Sequence, residues 1–213
     1  MSELKNVERS RESRRSRRMN LRLQEILKVA ARMFAEQGYE PTTLDMIAEE
    51  LGLTKPGLYY YIKSKEDVLA HIFQAIFQSI LAQIKAEISP DMTPQERLQY
   101  LIEAYVTYAC VYPEGRALFL YQSNLISVCN AEMLALREDY QQQLAETIEA
   151  GIAHGSFHVA NARIASLALF GSLYCIPLWY QPDGSLSPAE VARYYASILI
   201  GGLITPLALP SQQ

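Results

Sequence analysis

The stretch TTLDMIAEELGLTKPGLYYYIKSK, residues 42–65, decides the fold because it predicts two short helices joined by a tight turn. Thr42 is predicted to cap the first helix, with Asp45 three residues later completing a capping box. Gly52 stands where that helix must stop, since only glycine adopts a left-handed conformation without penalty. Thr54 is predicted to cap the second helix.

The second of these helices carries a basic and aromatic surface. It contains Lys55, Gly57 and three consecutive tyrosines, residues 59–61, and Lys65 opens the helix that follows. Because a helix cannot bury three adjacent side chains on one face, at least one tyrosine must be exposed. This pattern is typical of a helix-turn-helix unit that reads DNA.

The charge of the chain supports this interpretation once it is divided along the sequence. Of 19 basic and 23 acidic side chains, residues 1–65 hold 13 and 9, a balance of +4. Residues 66–213 therefore hold 6 basic and 14 acidic side chains, a balance of −8. Basic charge concentrated at one end indicates a part that faces nucleic acid, joined to a part that avoids phosphate.

Composition divides the chain into three predicted parts. Residues 1–20 form an arm rich in serine and arginine, with almost no apolar side chain to bury, and we expect it to be disordered when free. Such an arm either contacts DNA phosphates or a minor groove, or is a solvated tail with weak non-specific attraction. Residues 21–67 form the predicted DNA-binding domain, and residues 68–213 form a larger domain.

Helical periodicity continues almost to the C-terminus. Apolar side chains recur at helical spacing from Leu21 onward, glycine or proline separates the segments, and no segment alternates as a strand does. Beyond the motif, helices are predicted over about 65–87, 93–113, 130–154, 161–180 and 187–204. We therefore expect an all-α fold with a three-helix N-terminal domain and a larger helical C-terminal domain.

Two features predict a cytoplasmic protein. The basic, polar N-terminus lacks the apolar region of a secretory signal, and the three cysteines are odd in number and lie in apolar helical segments, as in reduced proteins. The longest apolar stretch, residues 164–180, contains polar residues and Pro177. It predicts a buried helix instead of a membrane span.

The larger domain carries many aromatic side chains on few helices. They predict a pocket for an apolar or aromatic ligand, although core packing explains any single ring more readily. The candidate ligand-binding residues are Tyr105, Tyr108, Phe119, Tyr121, Phe170, Tyr174 and Trp179. The last two helices hold more apolar surface than one helix pair hides within a subunit, which predicts a homodimer interface.

Enzymatic and metal-binding functions have little support. His154 and His158 are four residues apart, but Gly155 interrupts the helix between them and no carboxylate or cysteine has matching spacing. We find no nucleophile–base pair and no glycine-rich phosphate loop. We therefore predict no catalytic residue, no metal and no cofactor. An all-α enzyme and an architectural DNA binder without an effector are the alternatives.

The stretch from about Leu21 to Phe77 resembles the N-terminal domain of the tetracycline-repressor (TetR) family. The matching segments are ILKVAARMFAEQGYEPTTL, residues 26–44, and MIAEELGLTKPGLYYYIKSKEDVL, residues 46–69. The resemblance implies a homodimer of about nine helices per subunit. Its N-terminal domains read a palindromic operator, and its C-terminal domain binds a small ligand that releases the DNA.

The family's DNA contacts carry over to positions of this sequence. Lys55 is placed to reach a guanine edge or a phosphate, and Tyr60 a base edge or thymine methyl. The resemblance implies phosphate contacts for Thr43, Tyr59, Tyr61 and Lys65, and places Thr54 and Gly57 at the start of the recognition helix. The family more often has histidine at the position of Tyr61, and tyrosine keeps the donor without the possible charge.

The segment WYQPDGSLSPAE, residues 179–190, is similar to the one before the last helix in members that sense acyl-CoA thioesters, fatty acids or steroid-catabolic intermediates. It implies an apolar or acyl-CoA effector and a repressor that the effector releases. A regulator of multidrug efflux that senses aromatic or cationic compounds is the alternative. Arg116, Arg137 and Arg163 are candidates to meet a ligand carboxylate or phosphate.

Overall fold

The protein is described by a computed structural model over residues 2–111 and 131–205, with backbone alone for residues 2–13. These residues form nine helices and no strand, which confirms the all-α prediction. The helices are α1 (Ser2–Gln37), α2 (Leu44–Glu50), α3 (Lys55–Tyr59), α4 (Lys65–Glu87), α5 (Pro94–Val111), α6 (Ala131–His154), α7 (Ala162–Tyr174), α8 (Ile176–Trp179) and α9 (Pro188–Ile204).

The cap of α2 differs from the prediction by one residue. Thr43 is the N-cap, and its hydroxyl accepts a hydrogen bond from the Met46 N–H at 3.2 Å. Thr42 is fully buried, and its hydroxyl donates to the Gly38 carbonyl at 2.7 Å. The prediction of Thr42 as the cap is wrong because that side chain closes the turn after α1 instead.

The turn and the start of α3 are as predicted. Gly52 adopts φ +61°, the left-handed region that favours glycine. Thr54 caps α3, and its hydroxyl accepts from the Gly57 N–H at 3.2 Å. Lys65 is the first residue of α4, as predicted, and Ser64 caps that helix.

The N-terminal arm is part of α1, which differs from the expected disorder. The helix runs for 36 residues without interruption from Ser2. Residues 2–37 contain no glycine or proline, and arginine, glutamate and lysine are good helix formers. Helix propensity therefore accounts for a helix where the lack of apolar side chains predicted none.

The core is one contiguous cluster that reaches from Ile26 in α1 to Leu203 in α9. Helix α4 lies at its centre, against α1 on one side and α5 and α6 on the other, and α9 packs along α5. Because α4 belongs to both halves of the molecule, the domain boundary at residues 67–68 stays a prediction.

The predicted helix over residues 161–180 is divided in two. Helix α7 ends at Tyr174, and α8 begins at Ile176 with Pro177 in its first turn. Proline lacks the N–H that a continuous helix needs and clashes with the carbonyl four residues earlier. Within the described residues, α4 and the segment 162–179 are long and apolar enough to cross a membrane by length and composition alone.

Candidate DNA-binding surface and effector site

Helix α3 turns a polar and aromatic face to solvent. Leu58 and Ile62 are fully buried and fix the helix on the core. Tyr60 is 63% exposed and Tyr59 is 43% exposed, so both are accessible to a ligand outside the protein. Tyr61 packs partly on the core, and its ring meets the Tyr60 ring edge-on at 5.1 Å. This packing orients Tyr60 outward.

Lys55 is held across the turn between α2 and α3. Its Nζ lies 2.9 Å from Oδ2 of Asp45, and both side chains are exposed. The hydrogen bond that Lys55 donates to Asp45, and then the charge of Asp45, raise the pKa of Lys55 above its ordinary value. The lysine is therefore a cation that pairs with Asp45 and lies beside the exposed tyrosines.

Three of the predicted phosphate contacts meet in one place. Thr43, Tyr59 and Lys65 line a single depression of about 400 Å³ between α2, α3 and the start of α4. Lys65 also has a role that the sequence did not suggest, since its Nζ donates to the carbonyls of Tyr39 at 2.7 Å and Glu40 at 3.2 Å. It therefore fixes the loop before α2 as well as lining the depression.

Gly57 serves the cap of its own helix. A Cβ atom at this position would lie 3.1 Å from the Thr54 hydroxyl oxygen, closer than ordinary packing allows. That hydroxyl accepts the Gly57 N–H, so glycine leaves the capping bond undisturbed. The resemblance placed Gly57 at the start of the recognition helix and did not suggest this role in the cap.

An aromatic cluster occupies the centre of the larger domain, formed by Phe77 of α4, Tyr105 of α5, Tyr140 of α6, and Phe170 and Tyr174 of α7. Ring centroids lie 5.4 Å apart for Tyr105 and Tyr140, 6.0 Å for Tyr105 and Phe170, and 5.8 Å for Phe170 and Tyr174. Such spacings give favourable edge-to-face and tilted contacts. The sequence predicted three of these rings and missed Phe77 and Tyr140.

The Tyr105 and Tyr140 hydroxyl groups of the aromatic cluster stay neutral. Burial raises the pKa of Tyr105 and of Tyr140 well above the ordinary tyrosine value. The Tyr140 hydroxyl donates to the Leu101 carbonyl at 2.9 Å. Tyr140 recurs with Leu144 and Ile148 at helical spacing, and this is the signal that would have placed it on the buried face of α6.

Arg137 places a cation at the solvent edge of the aromatic cluster. Its guanidinium carbon lies 5.3 Å from the Phe170 ring centroid and 5.9 Å from that of Tyr174, within the range of cation–π attraction. The Arg137 side chain is exposed, Phe170 is buried and Tyr174 is partly exposed. A positive charge therefore adjoins an apolar interior.

The remaining predicted ligand residues lie apart from the aromatic cluster. Tyr108 lines a cleft of about 360 Å³ between α1 and α4. Trp179 is 45% exposed and stacks on Tyr195 at 6.1 Å. Phe119 and Tyr121 fall outside the described residues, as does Arg116.

An exposed apolar face runs along α7 and α9. Ile164 and Leu167 of α7 and Tyr194 and Ile198 of α9 are between 47% and 71% exposed. The opposite side of α9 is buried against α5 through Val191 and its helical neighbours. Both sides of α9 are therefore apolar, and one of them is left uncovered by residues 2–111 and 131–205.

The two histidines considered for a metal site are separated by a sharp turn. His154 ends α6, and Gly155 follows at φ +78°. The His158 N–H donates to the Leu203 carbonyl at 2.7 Å, which ties it to α9. Among residues 2–111 and 131–205, no three histidine, cysteine or acidic side chains lie together as metal ligands would.

Two family descriptions match this chain. "Bacterial regulatory proteins, tetR family" matches residues 26–72, which hold the helix-turn-helix. "Tetracyclin repressor-like, C-terminal domain" matches residues 91–203, more than half of the chain. The first match covers the exposed face of α3, and the second covers the aromatic cluster except Phe77.

Similar proteins extend over most of the chain. It is 27% identical over 187 residues to the HTH-type transcriptional repressor KstR2 of Rhodococcus jostii (strain RHA1), covering 85% of this chain and 91% of that protein. A crystal structure of a tetR-family regulatory protein from Rhodococcus RHA1 matches with a TM-score of 0.72 and 27% identity, over 85% of this chain and 96% of that one.

A further solved structure has the same fold. AibR, crystallised in complex with isovaleryl coenzyme A and operator DNA, matches with a TM-score of 0.68 over 87% of this chain and 100% of that one. At 23% identity, the likeness is one of fold alone.

Proposed function

The chain belongs to the tetracycline-repressor family of bacterial transcriptional regulators, and we propose that it is a cytoplasmic repressor that binds a palindromic operator as a homodimer and leaves it when an effector binds. The observation that carries the DNA-binding part is the exposed face of α3. There Lys55, Tyr59 and Tyr60 are accessible, while Leu58 and Ile62 anchor the helix. Helix α3 enters the major groove, where Tyr60 and Lys55 meet base edges.

Phosphate contacts fix the position of α3 on the duplex. Thr43, Tyr59 and Lys65 share one depression beside α3, which Asp45 and Glu66 also line. The hydroxyl and ammonium groups suit phosphate oxygens, and Asp45 is already paired with Lys55. Lys65 has three N–H donors, of which two reach the carbonyls of Tyr39 and Glu40. The third is directed by these two bonds and serves the DNA backbone.

The homodimer forms through the exposed apolar face of α7 and α9. Ile164, Leu167, Tyr194 and Ile198 lie on these helices, and a second copy related by a two-fold axis covers them with the same face. The two α3 helices of such a dimer contact half-sites about 34 Å apart, one turn of DNA. The palindromic operator follows from that symmetry.

The effector is of acyl-coenzyme A type, with an apolar acyl part and an anionic part, and it binds at the aromatic cluster. The rings supply apolar contact area, and Arg137 at their exposed edge supplies a cation for a carboxylate or phosphate. The fold is compatible with such a ligand, since AibR carries isovaleryl coenzyme A on it. A cationic drug, the ligand of the efflux alternative, would be repelled by Arg137.

Helix α4 connects the two sites. It begins at Lys65, beside the DNA-binding depression, and carries Phe77 into the aromatic cluster, 6.4 Å from Tyr105 and 6.3 Å from Tyr140. Twelve residues of helix separate these two positions by about 18 Å. An effector that displaces the cluster rings moves α4 and alters the spacing of the two α3 helices.

DNA binding is tested by selecting duplexes from a random pool with the purified protein and measuring their affinity. A palindromic consensus is expected, with binding that weakens as salt rises. Lys55→Ala is expected to lose specific binding, whereas Lys85→Ala, which removes an exposed cation of α4 far from α3, keeps it. Failure to enrich any sequence contradicts the proposed function.

The dimer is tested by sedimentation of Ile198→Glu, which places a charge at the centre of the apolar face. The variant is expected to be monomeric and folded. Leu134→Glu, at an exposed apolar position on α6, is the matched control and is expected to stay dimeric. A dimeric Ile198→Glu protein would show that the interface lies elsewhere.

The effector class is tested by thermal shift with isovaleryl-CoA, palmitoyl-CoA, free coenzyme A and the cationic dye ethidium. A ligand at one hundred times its Kd adds about 2.7 kcal/mol of stability, which is readily detected. Acyl-CoAs are expected to stabilise wild type and Lys85→Ala, and to stabilise Arg137→Ala much less. Stabilisation by ethidium alone would favour the efflux alternative.

A further inference from the structure

The start of α1 carries four arginines to which the family match assigns no role. Arg14, Arg15, Arg17 and Arg18 are exposed, and the match to the tetR family begins only at Ile26. Ile26 is also the first buried residue of α1 among those whose side chains are described. These arginines therefore lie outside both the buried core and the matched helix-turn-helix segment.

The four arginines face the same concavity as the recognition helix. This basic concavity has a volume of about 750 Å³, and no acidic residue lies along its described wall. It is lined by Arg14, Arg15, Arg17, Arg18, Met19, Leu21, Tyr60 and Tyr61. Tyr60 and Tyr61 thus border both the basic concavity and the face of α3 that contacts DNA, so the two surfaces are continuous.

The arginines repel one another in the free protein. They stand three and four residues apart along a helix, which brings like charges into neighbouring positions and destabilises the helix. Within the described side chains, none of them has a carboxylate partner, whereas Arg22 just beyond them pairs with Glu25. A polyanion in the basic concavity would remove this repulsion and stabilise the part of α1 that carries the four arginines.

We propose that the basic concavity grips phosphates of the operator duplex beside the groove that α3 reads, which makes the start of α1 a second DNA-contacting element. Guanidinium groups bind phosphate oxygens in pairs of parallel hydrogen bonds and stay charged at any physiological pH. A duplex has the required density of phosphates, and Tyr60 already places it at the border of the basic concavity. This inference rests on the proposed function, because it presumes that α3 binds DNA.

The experiment compares Arg14→Gln/Arg18→Gln with Lys85→Gln/Arg193→Gln, a control that removes the same charge from exposed positions of the larger domain. Glutamine is a good helix former, so α1 is retained, and circular dichroism checks this. Affinity for the selected operator and for a scrambled duplex is measured across a series of KCl concentrations. Each lost phosphate contact lowers the slope of log K against log salt by about 0.9.

The α1 variant is expected to weaken binding to both duplexes by the same factor and to reduce the salt slope, while the control changes neither. An α1 variant with the salt slope and DNA affinity of wild type overturns the inference. The proposed function still stands in that case if wild type binds the operator more tightly than the scrambled duplex. Loss of binding to phosphatidylserine vesicles with unchanged DNA binding would assign the arginines to a lipid surface and also overturn it. If wild type binds neither duplex, the proposed function itself fails.

Discussion

The helix-turn-helix region and the aromatic cluster place their working side chains in opposite ways. On α3, Lys55 and Tyr60 are exposed and held by short-range contacts, namely an ion pair to Asp45 and an edge-on contact with Tyr61. In the aromatic cluster, Tyr105 and Phe170 are buried and held by rings from four different helices. Function and stability should therefore be separable in the first region and inseparable in the second.

Truncation in the aromatic cluster should have the largest effect on stability. Phe170→Ala removes a ring that is 2% exposed and packed against Tyr105, Tyr140 and Tyr174. We expect a loss of about 3–5 kcal/mol in the free energy of unfolding. Urea unfolding at one fixed protein concentration measures it, because the stability of a dimer depends on concentration.

Truncation on α3 should affect DNA binding alone. Tyr60→Ala is expected to weaken specific operator binding by about 1–3 kcal/mol, since it removes a base contact. Its free energy of unfolding should stay within about 0.5 kcal/mol of wild type, because the side chain is largely exposed. Fluorescence anisotropy with operator and scrambled duplexes, alongside urea unfolding, separates the two quantities. A large loss of stability in this variant would show that Tyr60 also supports the fold, so that function and stability are not separable on α3.

Substitution of the cap of α3 should lower both the stability of the protein and its affinity for the operator. Thr54→Ala removes the hydroxyl that accepts the Gly57 N–H and is expected to cost about 1 kcal/mol of stability. Because the cap orients Lys55, the next residue, operator affinity should fall with it. Thr54→Ser keeps the acceptor and should restore both. If the serine variant restores stability without affinity, Thr54 itself contacts the DNA.

The smallest expected effect is a pH dependence at the start of α9. The Ser187 hydroxyl and N–H donate to the Glu190 carboxylate, and these bonds lower the pKa of Glu190 below its ordinary value of 4.5. A lowered folded-state pKa adds stability above the unfolded-state pKa, and this stability is lost as pH falls through the folded value. The gap in thermal stability between wild type and Ser187→Ala should therefore narrow from pH 6 to pH 3. A constant gap would contradict this account of the cap.

The features that the sequence predicted correctly are those that depend on residues close together along the chain. Gly52, Thr54 and Lys65 were placed correctly because caps and turns depend on residues a few positions apart. Thr42 was wrongly predicted as the cap of α2. Its hydroxyl donates to the Gly38 carbonyl, a contact that is just as close along the sequence, and its side chain is buried. Phe77 was missed, and the position of Trp179 apart from the aromatic cluster was not foreseen, because ring contacts depend on how α4, α5, α6 and α7 pack. The spacing of residues along the sequence does not record that packing.

The N-terminal arm shows that low apolar content does not by itself predict the absence of a helix. A segment without apolar side chains was expected to be disordered, yet residues 2–20 continue α1. Low apolar content argues against a buried core, but it does not remove helix propensity in a segment that extends a helix already fixed by Ile26 and Phe34. The arginines of that segment consequently have a defined position beside Tyr60.

The coupling between effector and operator is the central claim, and one titration tests it most directly. Operator affinity is measured by anisotropy without and with saturating acyl-CoA, using the compound that gives the largest thermal shift. We expect the effector to weaken operator binding, and the operator to weaken effector binding by the same factor, as linkage requires. A compound that binds the protein at the aromatic cluster and leaves operator affinity unchanged would contradict it.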